Sequence, residues 1–407
     1  MKKICYNNIS LNEDTMKRIL LQTNIKFLMI RGLIINILIM IIFLVGCTTN
    51  QSKIYDLNFD MYYNTVNNVK IVTTIDKEEE LEIVYQEIDK ILLRIDRLFN
   101  VQEREDQYKT ELMMINENAG IIPTTVSDEV IFVLKKAIEV AEISEVDGIA
   151  LFDPTIAPVW EQWNFIESYY SIYNPITITV PDDIIEYLPL VDYHKIKINE
   201  TEKTVFLETK GMKLDLGGIV KGYVADCIRS YLQEQGFHDA VIDIGKNLII
   251  MGTYQKKGWK TSLQTPYIER YSYTQEDQMY YYGRFYLSDK TLVTSGVYEK
   301  YVVDKDQKEY HHILDPRTGF PFHNQVISVS VITDSSIEAD GYSTTLLALG
   351  LEKGMELVSQ ISGLEAVYVI KNNDKYEVYI SKGLQDQFEF NENVIQLGYE
   401  YKGVFGE

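Results

Sequence analysis

Along this chain of 407 residues, segments whose apolar residues have helical spacing alternate irregularly with segments that have the apolar pattern of strands. Apolar side chains recur at helical spacing over residues 81–98, whereas residues 69–74 and 240–251 each read as one strand. Further helices are predicted from the N-cap Ser127, over about residues 220–235 with a stop at Gly236, and over about residues 336–349. No regular βαβ period appears, so we predict an α+β fold in which mixed or antiparallel sheets pack with helices.

An apolar run over residues 32–46 follows several basic residues near the N-terminus. Its length is that of a signal-peptide core and is short for a transmembrane helix. The run ends in Leu44-Val45-Gly46-Cys47, which resembles the bacterial lipobox, and the resemblance implies cleavage before Cys47 and lipid on its thiol. We expect a signal peptide over residues 1–46, a lipidated tether over 47–58 and one domain over 59–400. The alternative is an uncleaved N-terminal anchor.

The expected mature chain is strongly acidic. Without residues 1–46 it keeps 33 basic and 58 acidic residues, a formal charge of −25. Such a surface repels the phosphates of nucleic acids, so we predict no nucleic-acid partner, and membrane attachment through the lipid alone. Besides Cys47 only Cys227 would remain, which excludes an intrachain disulfide and, within its helical pattern, suggests core packing. The expected location is the extracytoplasmic face of the cytoplasmic membrane.

The first stretch that could carry chemistry contains Phe152-Asp153-Pro154-Thr155. Pro154 disfavours helical geometry at the residue before it, so the backbone of Asp153 is presented for outside contacts. Taken alone, an Asp-Pro-Thr turn is more often structural than functional.

The second stretch, residues 214–223, joins a predicted strand to a predicted helix and contains Gly217-Gly218 and Lys221. Paired glycines let a ligand approach the backbone closely. Free N–H groups at a helix start suit a phosphate, and Lys221 adds positive charge. The pattern fits anion binding and a simple glycine-rich turn about equally well.

The third stretch comprises residues 294–299, which begin with Thr294-Ser295-Gly296, and residues 310–319, which contain His311-His312-Ile313. Adjacent histidines on a strand point to opposite faces, so at most one of them reaches a given site. Such a pair is more often structural than catalytic. No cysteine or third histidine stands at zinc-like spacing, so zinc is not expected.

The fourth stretch, residues 338–345, lies within the last predicted helix. Asp340 and Thr344 are four residues apart, which places a carboxylate and a hydroxyl on one helical face. Mg²⁺ typically takes one or two carboxylates and completes its shell with neutral oxygens. In isolation the pair is more often a plain surface feature.

In this order and spacing, the four stretches resemble the ApbE family, the FAD:protein FMN transferases, over about residues 60–400 and with a T-fold-like catalytic domain. The resemblance implies FAD contacts from Met61, Leu151, Phe152, Asp153, Asp215, Lys221 and Ile313. It implies Mg²⁺ ligands from Gly218, Asp340, Ser343 and Thr344. It assigns the chemistry to His312 as general base, with Lys221 stabilising the pyrophosphate.

The implied reaction is Mg²⁺-dependent transfer of the FMN half of FAD to a Ser or Thr hydroxyl of an acceptor protein, with release of AMP. The implied acceptor is a membrane-associated redox protein outside the cytoplasm. Two alternatives stay open, a Mg²⁺-dependent FAD pyrophosphatase that releases FMN and AMP, and a non-catalytic flavin-binding lipoprotein.

The chain departs from the family pattern at several places. Lys246 stands where a second glycine is usual, and Val297 where an acidic residue is frequent. The family's Ser-x-Tyr stretch appears here as Asn100-Val101-Gln102, so either Tyr108 supplies the aromatic cap over the cofactor or the cap is lost, which would favour hydrolysis. The tyrosine-rich residues 254–290 have no assignable equivalent, and we expect them to form surface strands and loops.

Overall fold

The structure is a computed structural model that describes residues 14, 17–18, 21–22, 26–33, 52–74, 77–102, 108–168, 175–254, 257–268 and 278–407. The chain divides into two units, Met1–Ser52 and Lys53–Glu407. In the first unit, residues 26–33 are helical. Among the residues described, none of the helices combines the length and apolar character that crossing a membrane requires. Cys47 and residues 34–46 lie outside the described residues, so the lipidation stays a prediction.

The second unit contains helices and strands in an irregular order. The helices are α1 (Glu78–Phe99), α2 (Glu111–Glu117), α3 (Asp128–Ile143), α4 (Ala157–Trp160), α5 (Phe165–Ser168), α6 (Val220–Glu234), α7 (Ser336–Leu349) and α8 (Leu351–Gln360). The strands are β1 (Lys53–Phe59), β2 (Asn67–Thr73), β3 (Thr124–Thr125), β4 (Glu145–Val146), β5 (Ile149–Ala150), β6 (Ile196–Asn199), β7 (Thr204–Leu207), β8 (Ala240–Ile244), β9 (Asn247–Met251), β10 (Trp259–Gln264), β11 (Tyr281–Leu287), β12 (Lys290–Gly296), β13 (Tyr301–Val303), β14 (Glu309–His311), β15 (Val326–Thr333), β16 (Glu365–Asn372), β17 (Lys375–Ile380), β18 (Glu389–Phe390) and β19 (Tyr399–Val404).

A nine-stranded sheet forms the centre of this unit, in the order β1-β2-β8-β9-β12-β15-β16-β17-β19. Its neighbouring strands pair antiparallel except β17 and β19, which are parallel. The predicted α+β class with mixed sheets is therefore confirmed.

The long helices cover one face of this sheet and close the larger core, in which Ile88, Leu134, Val224 and Leu346 are fully buried. Helices α6 and α7 approach each other so closely that a Cβ added to Gly222 would lie 2.1 Å from the carbonyl oxygen of Ser336. Only glycine fits this crossing, and the crossing brings the start of α6 against α7.

The predicted helix boundaries agree with the structure because local signals fix them. The Ser127 side chain accepts a hydrogen bond from the N–H of Val130 and caps α3. Gly236 follows α6 with φ +79°, the left-handed conformation that glycine adopts without strain.

The prediction of one strand over residues 240–251 is wrong, because this segment is a hairpin of β8 and β9. Gly245 and Lys246 form its turn with φ +58° and +71°. Both strands are rich in buried apolar residues, and Gly-Lys lacks the usual Asn-Gly signature of such turns.

The predicted tether over residues 47–58 is too long, and the predicted domain start at residue 59 is too late. Residues from Lys53 already form β1, which pairs along its whole length with β2. This strand lies at the edge of the sheet and is mostly exposed, so its sequence carries little apolar signal. At the other end, β19 continues to Val404.

The tyrosine-rich segment covers the second face of the nine-stranded sheet. Its strands β10 and β11 join β18 in a three-stranded sheet. Trp259, Leu263, Tyr282 and Phe285 are buried there in a second core. The prediction of surface strands is therefore wrong for these residues, because their side chains fill the space between the two sheets.

Candidate active site

The start of α6 and the middle of α7 form one cluster. The ammonium of Lys221 lies 2.9 Å from the carbonyl oxygen of Gly217 and 3.5 Å from Oδ1 of Asp340. The N–H of Gly222 donates to the other carboxylate oxygen of Asp340 at 3.1 Å. The close helix crossing thus unites the second and fourth stretches, which are 119 residues apart between Lys221 and Asp340.

The hydroxyl of Thr344 lies on the same side of this cluster. A Cβ placed on Gly218 would be 4.0 Å from Oγ1 of Thr344, so the glycine backbone and the hydroxyl are close neighbours. Ser295 lies 2.8 Å from the hydroxyl of Ser343 and 3.3 Å from that of Thr344. The four predicted metal ligands, Gly218, Asp340, Ser343 and Thr344, are therefore brought together.

The oxygens of this cluster suit a hard divalent cation. Among the described residues, no group of three or more His, Cys, Asp or Glu side chains could hold a metal ion. The four predicted metal ligands instead offer the single carboxylate of Asp340, the hydroxyl of Thr344 and backbone carbonyls. Mg²⁺ is commonly bound in this way, by one or two carboxylates together with neutral oxygens and substrate phosphates. The residues present fit Mg²⁺.

The Asp153 turn packs against the glycine loop. The N–H of Asp215 donates to the carbonyl of Pro154 at 2.9 Å. A Cβ on Gly218 would lie 3.0 Å from the Phe152 ring, so this ring borders the cluster. The neighbouring Leu151 is buried. The first and second stretches therefore line one site.

The carboxylate of Asp153 itself is occupied by internal bonds. Its Oδ1 accepts from the N–H of Thr155 at 2.8 Å and from the Thr155 hydroxyl at 2.6 Å, and its Oδ2 accepts from the N–H of Tyr193 at 3.1 Å. Burial raises the pKa of this carboxyl. A role for Asp153 in cofactor binding would therefore fall to its backbone, while its side chain holds the turn.

The two adjacent histidines differ in how many of their ring nitrogens are hydrogen-bonded within the fold. His311 places Nε2 3.1 Å from the carbonyl of Phe322, and its Nδ1 accepts from the N–H of Ile313. Both ring nitrogens are used, and burial lowers the pKa of His311 to about 4. His311 is consequently a neutral structural residue.

His312 keeps one nitrogen open. Its Nδ1 lies 3.1 Å from the carbonyl oxygen of Lys300, which can only accept, so Nδ1 carries the proton. Within the described residues no hydrogen bond reaches Nε2. Burial, and then the charge of Lys300, hold the pKa of His312 well below its usual value. The ring is therefore neutral near pH 7, as a general base must be.

Two further residues lie at this site: Ser295, which belongs to the third stretch but was given no role from the sequence, and Lys300, which the sequence analysis did not identify. Ser295 touches both hydroxyls of α7, and Lys300 contacts His312 through its backbone. Burial, and then the neighbouring charge of Lys221, lower the pKa of Lys300 to about 7. The Thr-Ser-Gly sequence of the third stretch marks Ser295, whereas no spacing distinguishes Lys300 from other lysines.

The loop of residues 60–66 lies next to the β8–β9 turn, and its predicted cofactor residue Met61 is 66% exposed. The N–H of Gly245 donates to the carbonyl of Val66. Lys246 then reaches Glu299, with Nζ 2.8 Å from the carboxylate oxygen. This series of contacts connects the loop to the segment that carries Lys300. The role of Met61 stays a prediction.

The roles of Ile313 and Tyr108 also stay predictions. Ile313 is buried, and its carbonyl accepts from the N–H of Phe322. Tyr108 is 42% exposed, with the Arg97 guanidinium 5.1 Å from its ring centre.

Comparison with known proteins gives a consistent result. The sequence pattern of the ApbE family matches residues 63–368. The FAD:protein FMN transferase of Klebsiella pneumoniae (strain 342) is 34% identical over 295 residues, which cover 72% of this chain and 84% of that protein. The enzyme of the same name from Treponema pallidum (strain Nichols) is 29% identical over 68% of this chain and 74% of its own length.

Solved structures of this family have the same fold. The flavin transferase ApbE from Vibrio cholerae superposes with a TM-score of 0.68 at 23% identity, covering 83% of this chain and all of that one. The ApbE protein from Thermotoga maritima gives a TM-score of 0.64 at 26% identity, covering 86% of this chain and all of that one. Matched in sequence and fold over most of its length, this chain belongs to the ApbE family and is an enzyme of that family.

Proposed function

We propose that this enzyme transfers the FMN half of FAD to a Ser or Thr hydroxyl of an acceptor protein and releases AMP. The observation that carries the proposal is the 3.5 Å approach of Lys221 to Asp340, beside Gly218 and Thr344. This approach combines a cation for a pyrophosphate with hard oxygens for a divalent ion. The names of the relatives, which describe the same transfer, also support it.

The reaction exchanges one phosphorus–oxygen bond for another. The acceptor oxygen attacks the phosphorus of the FMN half, the bond to the bridging oxygen breaks, and AMP leaves with that oxygen. The proton of the hydroxyl passes to Nε2 of His312, which the Lys300 carbonyl holds in the correct tautomer. Proton transfer of this kind contributes roughly 10²–10⁴-fold to a rate.

The remaining residues bind and orient the dinucleotide. Lys221 neutralises charge on the pyrophosphate, and the backbone of Gly217-Gly218 lets the phosphates approach the start of α6. Gly218, Asp340, Ser343 and Thr344 would hold Mg²⁺, which when bound supplies Lewis-acid polarisation of the phosphoryl oxygens. The ring of Phe152 excludes water from one side.

The transfer is tested by incubating the protein with FAD, Mg²⁺ and a redox-protein domain that contains a single Thr. We expect the domain to gain the mass of FMN together with an equal amount of AMP, and the same domain with Thr→Ala to gain none. Free FMN without any modified domain would mean that the protein is the Mg²⁺-dependent pyrophosphatase. FAD retained in a 1:1 complex without AMP would mean a flavin-binding protein.

We also propose that the enzyme is a lipoprotein anchored at the extracytoplasmic face of the cytoplasmic membrane. The lipobox-like residues that end at Cys47 support this. Cys47→Ala should move the protein from the membrane fraction to the soluble fraction or leave it unprocessed. A protein that is cleaved and membrane-bound without Cys47 would contradict the anchor.

A further inference from the structure

Asp226 lies on α6, one helical turn beyond Gly222, and binds the first turn of α7. Its Oδ1 accepts from the N–H of Ser336 at 3.2 Å, and its Oδ2 accepts from the N–H of Ile337 at 2.9 Å. The first N–H groups of a helix have no partner within that helix, and a carboxylate there also balances the positive end of the helix dipole. Asp226 therefore caps α7 from across the helix crossing.

This cap has a counterpart one turn away in the same crossing. The N–H of Gly222 on α6 donates to the carboxylate of Asp340 on α7. In the cap, the N–H of Ser336 on α7 donates to the carboxylate of Asp226 on α6. On each helix the two partners are four residues apart, so they lie on one face. The cap therefore prevents α7 from sliding or rotating about its contact with Gly222.

The candidate cation site depends on this alignment, because its predicted ligands come from both sides of the crossing. Gly218 stands just before α6, whereas Asp340 and Thr344 belong to α7. Ligands of Mg²⁺ lie at about 2.0–2.1 Å in near-octahedral geometry, and a helix that slides by one residue moves by about 1.5 Å. Even part of that movement would separate the α7 ligands from an ion held at Gly218.

We propose that Asp226 is a positioning residue for the divalent cation, because its cap on α7 keeps Asp340 and Thr344 opposite Gly218. The inference rests on the proposed function and adds a residue outside the predicted ligand set. The capped residues are also those that touch the crossing. A Cβ on Gly222 would lie 2.1 Å from the carbonyl oxygen of Ser336 and 2.7 Å from Cα of Ile337.

Arg229 offers a second way to hold the start of α7, and the test must separate it from the cap. Its guanidinium lies 2.7 Å from Oδ1 of Asp226 and donates to the carbonyl of Asp334 at 2.7 Å. Both side chains of the ion pair are partly exposed. An ion pair at such a place is typically weaker than a helix cap, so we expect the cap to determine the position of α7.

The test uses Asp226→Asn, which keeps the size of the side chain. Whichever way the amide turns, its NH₂ group faces an N–H from which the carboxylate accepts, so one donor at the start of α7 loses its partner. One control is Ser127→Ala, which removes the cap of α3 and leaves the crossing of α6 and α7 unchanged. The other control is Arg229→Met, which removes the ion pair and keeps the cap.

Two quantities are measured for each variant. The first is the dissociation constant of Mn²⁺ without FAD, from the EPR signal of the free ion. The second is the Mg²⁺ concentration that gives half-maximal AMP release from FAD. We expect Asp226→Asn to raise both at least tenfold and, at saturating Mg²⁺, to recover a rate within threefold of the wild type. Both controls should stay within threefold of the wild type throughout, although Ser127→Ala should lower the unfolding temperature to a similar extent as Asp226→Asn.

Three results would overturn the proposal. Values for Asp226→Asn within twofold of the wild type would show that the cap does not position the ligands. A lower rate at saturating Mg²⁺ with an unchanged half-maximal concentration would indicate a purely structural role. Equal weakening in Arg229→Met would assign the positioning to the ion pair. If the wild type itself neither binds Mn²⁺ nor releases AMP, the proposed function fails together with this inference.

Discussion

The Asp153 turn and the Asp340 helix each carry an aspartate from a motif of this chain, and the two carboxylates are used differently. The carboxylate of Asp153 accepts three bonds from Thr155 and Tyr193. The carboxylate of Asp340 contacts Lys221 and the N–H of Gly222 at the edge of the candidate site. The first holds a turn, whereas the second joins α7 to the start of α6 beside Lys221, so a motif aspartate is not by itself evidence for ligand binding.

The histidine pair repeats this contrast within two residues. Both nitrogens of His311 are used inside the fold, whereas Nε2 of His312 is open. In each pair we expect the residue bonded within the fold, Asp153 or His311, to determine stability. We expect the residue at the candidate site, Asp340 or His312, to determine activity.

The largest effect is expected for Asp340→Asn. Asparagine keeps the shape and can still accept from Gly222, but it loses the charge that would hold the divalent ion. AMP release from FAD should fall by at least about 10³-fold, since a metal ion contributes several kcal/mol to such a reaction. The exposed Asp374→Asn is the matched control, and normal turnover of Asp340→Asn at limiting Mg²⁺ would refute the metal assignment.

A smaller loss of rate is expected for His312→Asn, whose amide can still donate to the Lys300 carbonyl. Without a base at Nε2 the transfer rate should fall roughly 10²–10⁴-fold while FAD affinity stays unchanged. Transfer rate and FAD dissociation constant are measured on the same preparation. Equal loss of both would reassign His312 to cofactor positioning.

Asp153→Asn tests the aspartate whose carboxylate is hydrogen-bonded within the fold. The oxygen of the Asn amide can still accept from Thr155. Its NH₂ group then faces the N–H of Tyr193, so two donors oppose each other. The free energy of unfolding in urea should fall by about 1–3 kcal/mol, the cost of an unsatisfied buried group. Unchanged stability combined with lost FAD binding would show that the carboxylate contacts the cofactor after all.

His311 should make stability depend on pH. Its pKa is about 4 in the fold, below the ordinary 6.5, so the unfolded chain binds more protons between these values. The stability from neutral His311 is therefore complete above pH 6.5 and is lost as the pH falls towards 4. Between pH 6.5 and 4 the wild type should lose roughly 2–3 kcal/mol more than His311→Gln, measured by urea unfolding. Parallel profiles of unfolding free energy against pH for the wild type and His311→Gln would contradict the structural role of His311.

The smallest effect is expected for Lys246→Gly, at the left-handed position of the β8–β9 turn. Glycine removes backbone strain but also removes the ion pair with Glu299. The two contributions oppose each other, so the free energy of unfolding should change by less than about 1 kcal/mol. A loss beyond 2 kcal/mol would mean that the ion pair matters far more than its exposure suggests.

The sequence predicts some of this site well and some not at all. Asp340 and Thr344 follow from helical spacing, because residues four apart share a helix face. The pairing of Lys221 with Asp340 depends on a helix crossing at Gly222, which no local pattern reveals. The position of Lys300 depends on the strand pairing of Tyr301 with His311 and is equally hidden.

The errors in the fold arise where the sequence carries a weak local signal. The turn at Gly245 and Lys246 separates two short strands without a recognisable turn sequence. The edge strand from Lys53 has too little buried surface to show a period, although its backbone is fully paired with β2.

The central claim is that Asp340, Thr344 and the carbonyl of Gly218 hold one divalent cation next to the FAD pyrophosphate. The most direct test is an anomalous-difference map of crystals grown with FAD and Mn²⁺. We predict a single strong peak within coordination distance of Asp340 and Thr344. A map without a peak there, or with its only peak elsewhere, would contradict the account.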